Sequence, residues 1–201
     1  MTVEVRSQII TDPELPDWLI PPSKGFTAND LDHLVELPAH TELLDGSLVF
    51  VSPQASFHTI TLYVLEKGLR GNAPADLRVR REMSVVLGPR QRPEPDLVVL
   101  QATADPGPDV TAYEAADILL AVEVVDPASQ TRDRGRKPQL YASAGIGHFW
   151  RVEQNSGRVT VYVYELDPAT SVYSLMGIHH DKLHLTVPFE IEIDLTEIEN
   201  L

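Results

Sequence analysis

Residues 118–125 constrain the fold of this chain more than any other segment. They read ILLAVEVV, the most hydrophobic stretch of the sequence, and a short apolar run of this kind is typical of a strand buried on both faces of a sheet. An ionised carboxylate in such a place costs free energy unless a cation compensates it. Glu123 therefore requires a partner, and the sequence leaves open both a salt bridge to a nearby arginine and a bound metal ion.

A second carboxylate stands at the entrance of the preceding apolar run. Asp96 follows the segment PEP and directly precedes residues 97–100, which read LVVL. Two neighbouring strands can present one carboxylate each to the same point, because adjacent strands lie about 5 Å apart. An aspartate after proline is otherwise commonly a turn residue. The combination of Asp96 with Glu123 favours a metal site.

The chain contains no cysteine, so any metal must be held by carboxylates, histidines or backbone oxygens. A carboxylate pair suits Mg²⁺ or Mn²⁺, which keep several waters that a substrate phosphate can replace. Such a metal activates a bound water and neutralises charge on the scissile phosphate. A nearby ammonium group can orient the attacking water or stabilise the negative charge that develops on the phosphate. Lys137 is the candidate ammonium. Its alternative is a solvent-facing lysine before a proline.

The charge distribution leaves nucleic acid open as a partner despite a net charge of −14. The acids concentrate at the two ends, whereas 11 of the 16 Lys and Arg residues lie between Lys67 and Lys137. This central concentration suits a polyanion, or it balances nearby acids on solvated faces. The candidate phosphate contacts are Arg81, Arg132, Arg134 and Arg136.

Hydrophobic periodicity predicts a mixture of helices and strands. Residues 1–25 contain four prolines and are expected to form an extended arm, with residues 26–201 as one domain. No apolar run approaches the roughly 20 residues that cross a bilayer, and the first residues lack a hydrophobic leader, so we expect a cytoplasmic protein without membrane contact. Within the domain the patterns predict a helix over 28–37, a hairpin turning at Asp45-Gly46, a helix over 55–70, a strand over 77–87, a helix within 126–145 and an antiparallel meander from 147 to 176. The weakly patterned stretch that contains His179, His180, Asp181 and His184 is expected to be a surface loop.

The motifs in this order resemble the Uma family of restriction endonuclease-like proteins, which belongs to the PD-(D/E)XK nuclease superfamily. The likeness covers roughly residues 26–176. It rests on PDLVV at 95–99, AVEVVDP at 121–127, DRGRKPQLYASAGI at 133–146, HFWRV at 148–152, ELLDGSL at 42–48, and SP at 52–53 with His58.

The resemblance implies an α/β (α+β) fold of the restriction-endonuclease type. Its mixed β-sheet would be flanked by helices, with antiparallel hairpins on the amino-terminal and carboxy-terminal sides. Asp96 and Glu123 would be the metal ligands, and Lys137 would be a displaced catalytic lysine. The superfamily's usual lysine stands two positions after the acid, where this chain has Val125.

Three further residues are implied as additional site candidates. Asp126 follows the strand acid and is interpreted as a helix cap, a third ligand or a turn residue, of which we favour the cap. Glu42 would be an additional acid at the metal site, or it would pair with an arginine such as Arg81 across the sheet. His58, near the start of a helix, is a site residue, a cap or a packing residue.

Three functions follow from these residues. The first is a Mg²⁺-dependent endonuclease acting on DNA, and the second is a non-catalytic module that binds nucleic acid or protein. The third is a metal-free hydrolase that uses the two carboxylates as an acid/base pair. Because cutting both strands of a duplex needs two sites, a homodimer is expected.

Overall fold

The computed structural model describes residues 19–34 and 36–201. Most of the predicted arm, residues 1–18, therefore lies outside the described residues. The helices are α1 (Ser56–Asn72), α2 (Lys137–Ser143) and α3 (Glu197–Asn200). The strands in chain order are β1 (Thr41–Leu44), β2 (Ser47–Phe50), β3 (Leu77–Arg81), β4 (Ser84–Val86), β5 (Leu97–Gln101), β6 (Ala112–Glu114), β7 (Ile118–Val124), β8 (His148–Asn155), β9 (Arg158–Asp167), β10 (Val172–His179), β11 (Lys182–Leu185) and β12 (Ile191–Asp194).

A mixed six-stranded sheet in the order β10-β9-β8-β7-β5-β3 forms the centre of the described structure. β7 and β8 are parallel, and the other neighbours in this sheet are antiparallel. The hairpin β1–β2 and the β8–β9–β10 meander supply the antiparallel pairs that were expected on the two sides, whereas the hairpin β11–β12 was not predicted. Asp45 and Gly46 turn the first hairpin with φ of 55° and 78°, the left-handed conformation of a two-residue turn. The α+β architecture is therefore confirmed.

Helices cover the two faces of the sheet and create two apolar cores. Leu62, Leu65 and Leu69 of α1 pack on the face that carries Val122 of β7. Tyr141 of α2 packs on the opposite face, which carries Ala121. Because side chains alternate along a strand, Glu123 falls on the same face as Ala121, beneath α2.

The register of β5 against β7 brings the two predicted acids to one end of the sheet. Leu97 lies opposite Val122, and Val98 lies opposite Ala121. Continuing this antiparallel register by one residue places Asp96 opposite Glu123. The proline-rich segment before β5 and the loop after β7 both leave the sheet here, so the two acids stand at an opening of the core.

Three sequence predictions require correction. The helix expected over 28–37 is a single 3₁₀ turn, Asp30–Asp32, which buries no side chain, so tertiary packing gives it little support. Val35 lies outside the described residues. The strand expected over 77–87 is divided at Glu82, whose φ is 52°, and β4 pairs instead with β6. Residues 179–185, expected as a surface loop, end β10 and form β11.

None of the helices within residues 19–34 and 36–201 combines the length and the apolar character needed to cross a membrane.

Candidate functional site

An acidic cleft of about 370 Å³ opens at the end of β5 and β7. The first hairpin, the start of α1 and the turn that precedes α2 complete its walls. The described lining of the cleft contains two Arg or Lys side chains, Arg132 and Lys137, and seven carboxylates. These are Glu42, Glu82, Glu94, Asp96, Glu123, Asp126 and Asp133. The excess of negative charge makes the cleft complementary to a cation.

Lys137 lies at the centre of this charge cluster. Its Nζ is 2.8 Å from Glu42 Oε1, 3.0 Å from Glu123 Oε2 and 3.5 Å from Asp133 Oδ1. The side chain is buried. Burial lowers the pKa of Lys137, but the surrounding carboxylates outweigh it and hold the pKa well above its ordinary value. The lysine is therefore an ammonium ion at neutral pH.

A π-helical turn, Arg132–Arg136, delivers Lys137 to the strand acids. Such a turn widens the helix locally and is frequent at functional sites. Pro138 follows directly after this turn within one continuous helical run, and because it has no N–H it cannot donate to the turn that precedes it. This local geometry explains how a lysine 14 residues after Glu123 reaches the carboxylate.

Glu123 is fully enclosed between Lys137 and a tyrosine. Tyr141 donates a hydrogen bond of 2.5 Å to Oε1, while the Lys137 ammonium donates to Oε2. Burial raises the pKa of Glu123 well above its ordinary value, Lys137 opposes the rise, and nearby carboxylates add to it. The cation beside this buried acid is thus a lysine, whereas an arginine was the alternative predicted from sequence.

Asp96 is held by contacts to both of its oxygens. Oδ2 accepts the backbone N–H of Val124 at 2.6 Å, and Oδ1 lies 3.0 Å from Nε2 of His58. Burial lowers the pKa of His58, but the hydrogen bond and charge of Asp96 outweigh it and raise the pKa. His58 Nδ1 is buried without a hydrogen-bond partner in the described structure. His58 thus orients Asp96 rather than capping α1.

Glu42 is fixed by the segment that leads into β5. Its Oε1 accepts the backbone N–H of Glu94 at 2.9 Å and also faces Lys137. The predicted pairing of Glu42 with Arg81 is wrong, because Arg81 reaches back to Glu66 on α1 at 2.8 Å. β1 therefore contributes a carboxylate that meets the lysine of α2.

The favoured interpretation of Asp126 as a helix cap is also wrong. The helical residues after it begin at Gln130, so the cap position falls at Ser129 rather than at Asp126. The Asp126 carboxylate instead lines the cleft and accepts a hydrogen bond from the backbone of Ala55. Burial raises the pKa of Asp126, and the charge of His58 lowers it in part.

Most of the predicted phosphate-contacting arginines form ion pairs within the chain. Arg81 pairs with Glu66, Arg134 with Glu153, and Arg136 with Asp45. Arg132 differs, since it lines the cleft and its Nε is buried without a hydrogen-bond partner in the described structure.

The ion pair between Arg136 and Asp45 ties the first hairpin to the turn before α2. Arg136 and then Gln91 lower the pKa of Asp45 from 3.8 to about 2. A lowered carboxyl pKa stabilises the fold above pH 3.8, and this contribution is lost as the pH falls through 2. Both side chains are about half exposed, so Arg136→Gln should cost less than about 1 kcal/mol at pH 6. Urea unfolding should show that this difference from wild type vanishes near pH 2. A difference of equal size at both pH values would contradict the pairing.

Two site residues escaped the sequence analysis although helical spacing carried the signal. Asp133 and Tyr141 stand four residues before and four residues after Lys137, a spacing that places side chains on one side of a helix. Tyr141 is fully buried among core residues, and its hydroxyl also donates a hydrogen bond to Glu123. Glu82 and Glu94 had no comparable signal, because long-range packing brings them to the cleft.

No group of three or more His, Asp or Glu side chains within the described ranges already forms a metal cage. The donor chemistry nevertheless fits a hard cation. Carboxylate oxygens from Asp96 and Glu123 face one cleft, and crowding with other acids contributes to the raised pKa values of Glu123, Asp126 and Asp133.

The mixed sheet with an acidic cleft at the ends of two adjacent strands defines a restriction-endonuclease-like α+β protein. A protein-family model described as "Uma2: Putative restriction endonuclease" matches residues 29–196. The chain therefore belongs to the Uma2 family.

A solved structure supports the fold independently. The crystal structure of a "putative nuclease belonging to DUF820" from Anabaena variabilis ATCC 29413 superposes with a TM-score of 0.67. The superposition covers 87% of this chain and 98% of that chain at 13% sequence identity. A search of curated proteins finds no match.

Proposed function

We propose that this protein is a divalent-metal-dependent endonuclease that hydrolyses phosphodiester bonds in DNA. The observation that carries the proposal is the convergence of Asp96, Glu123 and the charged Lys137 on one cleft. Membership of a family described as putative restriction endonucleases supports this choice of reaction. Substrate class, metal dependence and residue roles are all part of the proposal.

Asp96 and Glu123 would hold Mg²⁺ or Mn²⁺, with Glu42 and Asp126 as additional oxygen donors nearby. When bound, the ion would lower the pKa of a coordinated water and offset the charge that develops on the scissile phosphate. The seven cleft carboxylates repel a phosphodiester as long as they are uncompensated. The chain's own charges therefore favour DNA binding after the acids have been neutralised.

Lys137 has two roles in this proposal. In the described structure its ammonium offsets the charges of Glu42, Glu123 and Asp133. Once a cation shares that task, the ammonium can orient the attacking water or donate to a phosphate oxygen. Tyr141 keeps Glu123 in place during this change, because its hydroxyl holds the oxygen that Lys137 does not contact.

His58 and Arg132 have supporting roles. His58 and the Val124 N–H fix the orientation of Asp96, in the manner of the outer groups that orient metal ligands. Arg132 can contact the phosphate, because it lines the cleft and its Nε is without a partner. A homodimer would bring two such clefts to one duplex, and this assembly stays a prediction.

A non-catalytic module is the second candidate, and one observation favours it. The Lys137 ammonium faces three carboxylates, so it is not positioned for chemistry until the cluster rearranges. Such a protein would retain the fold and bind DNA without cutting it.

Incubation of the purified chain with supercoiled plasmid separates these candidates. We expect nicked and linear DNA with Mn²⁺ or Mg²⁺, no cleavage with a chelator, and no cleavage by Asp96→Asn under any of these conditions. Metal binding without cleavage of any nucleic acid would favour the module. Cleavage that survives the chelator would favour the metal-free acid/base pair.

A further inference from the structure

A second groove lies on the other side of the turn that carries the cleft residues. It has a volume of about 360 Å³ and runs between α2 and the β9–β10 hairpin, a volume within the range of small-ligand sites. Its floor is aromatic. Phe149, Tyr164 and Tyr173 lie side by side on three neighbouring strands, with ring centroids 5.5–6.5 Å apart. Phe149 is buried, whereas the rings of Tyr164 and Tyr173 are partly exposed.

The charge of this groove is opposite to that of the chain as a whole. Arg134 and Arg151 line it, and its described lining contains no Asp or Glu. Beneath the groove both guanidinium groups share the single buried carboxylate of Glu153, so one positive charge remains uncompensated. Arg151 also lies over the ring of Tyr164, with 5.6 Å between its Cζ and the ring centroid. Cationic groups beside stacked rings suit a ligand that is both planar and anionic.

The groove and the cleft are the two sides of one short helical segment. Within the turn and the start of α2, Asp133 and Lys137 face the cleft, while Arg134 and Pro138 face the groove. An α-helix is about 10 Å across with its side chains. A polynucleotide strand that crosses this segment can therefore occupy both sites at once.

We propose that this groove binds an unpaired nucleotide of a DNA strand whose phosphodiester lies in the cleft. The base stacks on Tyr164, and Arg134 and Arg151 contact the neighbouring phosphates. This inference rests on the proposed nuclease function for its substrate class. It adds a preference for single-stranded, frayed or extruded nucleotides over intact duplex, since a stacked base cannot enter the groove.

Binding is measured with the full chain in Ca²⁺, so that a hard cation neutralises the cleft carboxylates, and electrophoresis afterwards checks that the probe is uncut. The probe is a fluorescent oligothymidylate of about 12 nucleotides, a length within the range of single-strand binding sites. Loss of one stacked base costs about 1–3 kcal/mol, so Tyr164→Leu should weaken binding roughly 5- to 150-fold. Tyr164→Phe keeps the ring and should bind as wild type. Tyr63→Leu is the matched control, because Tyr63 is exposed on α1, which covers the other face of the sheet.

Two further readouts separate a binding role from a folding role. A 2-aminopurine placed in the oligonucleotide should be quenched by wild type and by Tyr164→Phe, but not by Tyr164→Leu. Arg134→Gln should reduce the slope of log affinity against log salt by about 0.7, the value for one phosphate contact on a single strand. This second variant tests the groove even if Tyr164→Leu fails to fold.

The outcomes distinguish the groove from the nuclease. If wild type, Tyr164→Leu and Arg134→Gln bind the oligonucleotide equally well, the proposed nucleotide site in the groove is overturned, even if the protein cuts plasmid. Equal affinity for thymidine monophosphate and for the oligonucleotide would also overturn it, as would tighter binding of blunt duplex. If binding depends on Tyr164 but the protein cuts no plasmid, the nucleotide site in the groove is supported and the proposed nuclease activity is rejected.

Discussion

Replacement of Lys137 by methionine should destabilise the protein by about 3–5 kcal/mol at neutral pH, the cost of removing one partner from a buried charge cluster. Methionine retains most of the side-chain volume of lysine, so the loss of stability comes from the missing charge and not from a cavity. Glu42 and Glu123 are almost completely buried and would lose the cation they share. Urea unfolding monitored by circular dichroism measures the change. Because protonation relieves buried carboxylates, the loss should shrink as the pH falls towards the ordinary carboxyl range.

Lys67→Met is the control for this experiment. Lys67 also forms an ion pair, with Glu197 at 2.9 Å, but both side chains are exposed. Solvent screens such pairs, so the change should cost only a small fraction of the loss at Lys137. Equal effects of the two substitutions would contradict the charge cluster as a source of stability. Lys137→Met should also abolish DNA cleavage, whereas Lys67→Met should not affect it.

Replacement of Glu123 by glutamine should separate stability from activity. A carboxyl whose pKa is raised in the folded state destabilises the fold as the pH rises from 4.5 through that raised value. Wild type should therefore lose stability over this range, and Glu123→Gln should lack that part of the loss, so its stability should fall less than that of wild type between pH 4.5 and pH 8. Tyr141 can still donate to the amide oxygen. Lys137 loses its acceptor on residue 123, because the amide N–H₂ takes that place, but it still faces Glu42 and Asp133.

The same substitution should lower the rate of metal-dependent cleavage by more than about 100-fold, because removal of a direct ligand exceeds the cost of disturbing an outer one. Glu192→Gln on the exposed side of β12 is the control for both measurements. If the Glu123→Gln protein cuts plasmid at the wild-type rate, Glu123 is not a metal ligand of the catalytic site. A fall in the stability of Glu123→Gln between pH 4.5 and pH 8 as large as that of wild type would contradict the raised pKa.

The sequence was sufficient to place the two strand acids. A carboxylate inside residues 118–125 required a buried cation, and the apolar run after Asp96 predicted an adjacent strand. Both inferences depend on local pattern and on the free energy of burying charge, which do not require tertiary coordinates. The position of His58 near the start of α1 was predicted in the same way.

The contacts between distant segments could not be predicted. Whether Glu42 meets Arg81 or Lys137 depends on how the first hairpin packs against α2, which no local pattern specifies. The π-helical turn that brings Lys137 to the strand also has no hydrophobic signature. The break at Glu82 was missed because the alternation of residues 77–87 continues through a residue with positive φ. Asp126 was misplaced because the helical residues after it begin at Gln130, three residues later than a cap at that position requires.

We propose that Asp96 and Glu123 together hold one divalent cation. Calorimetric titration of Mn²⁺ into the metal-free wild-type chain, Asp96→Asn and Glu123→Gln tests it most directly, since it requires neither DNA nor turnover. We expect one site in wild type, its loss in both variants, and retention of the fold by circular dichroism. Wild-type Mn²⁺ affinity in either variant, or no binding by the wild-type chain, would contradict the account.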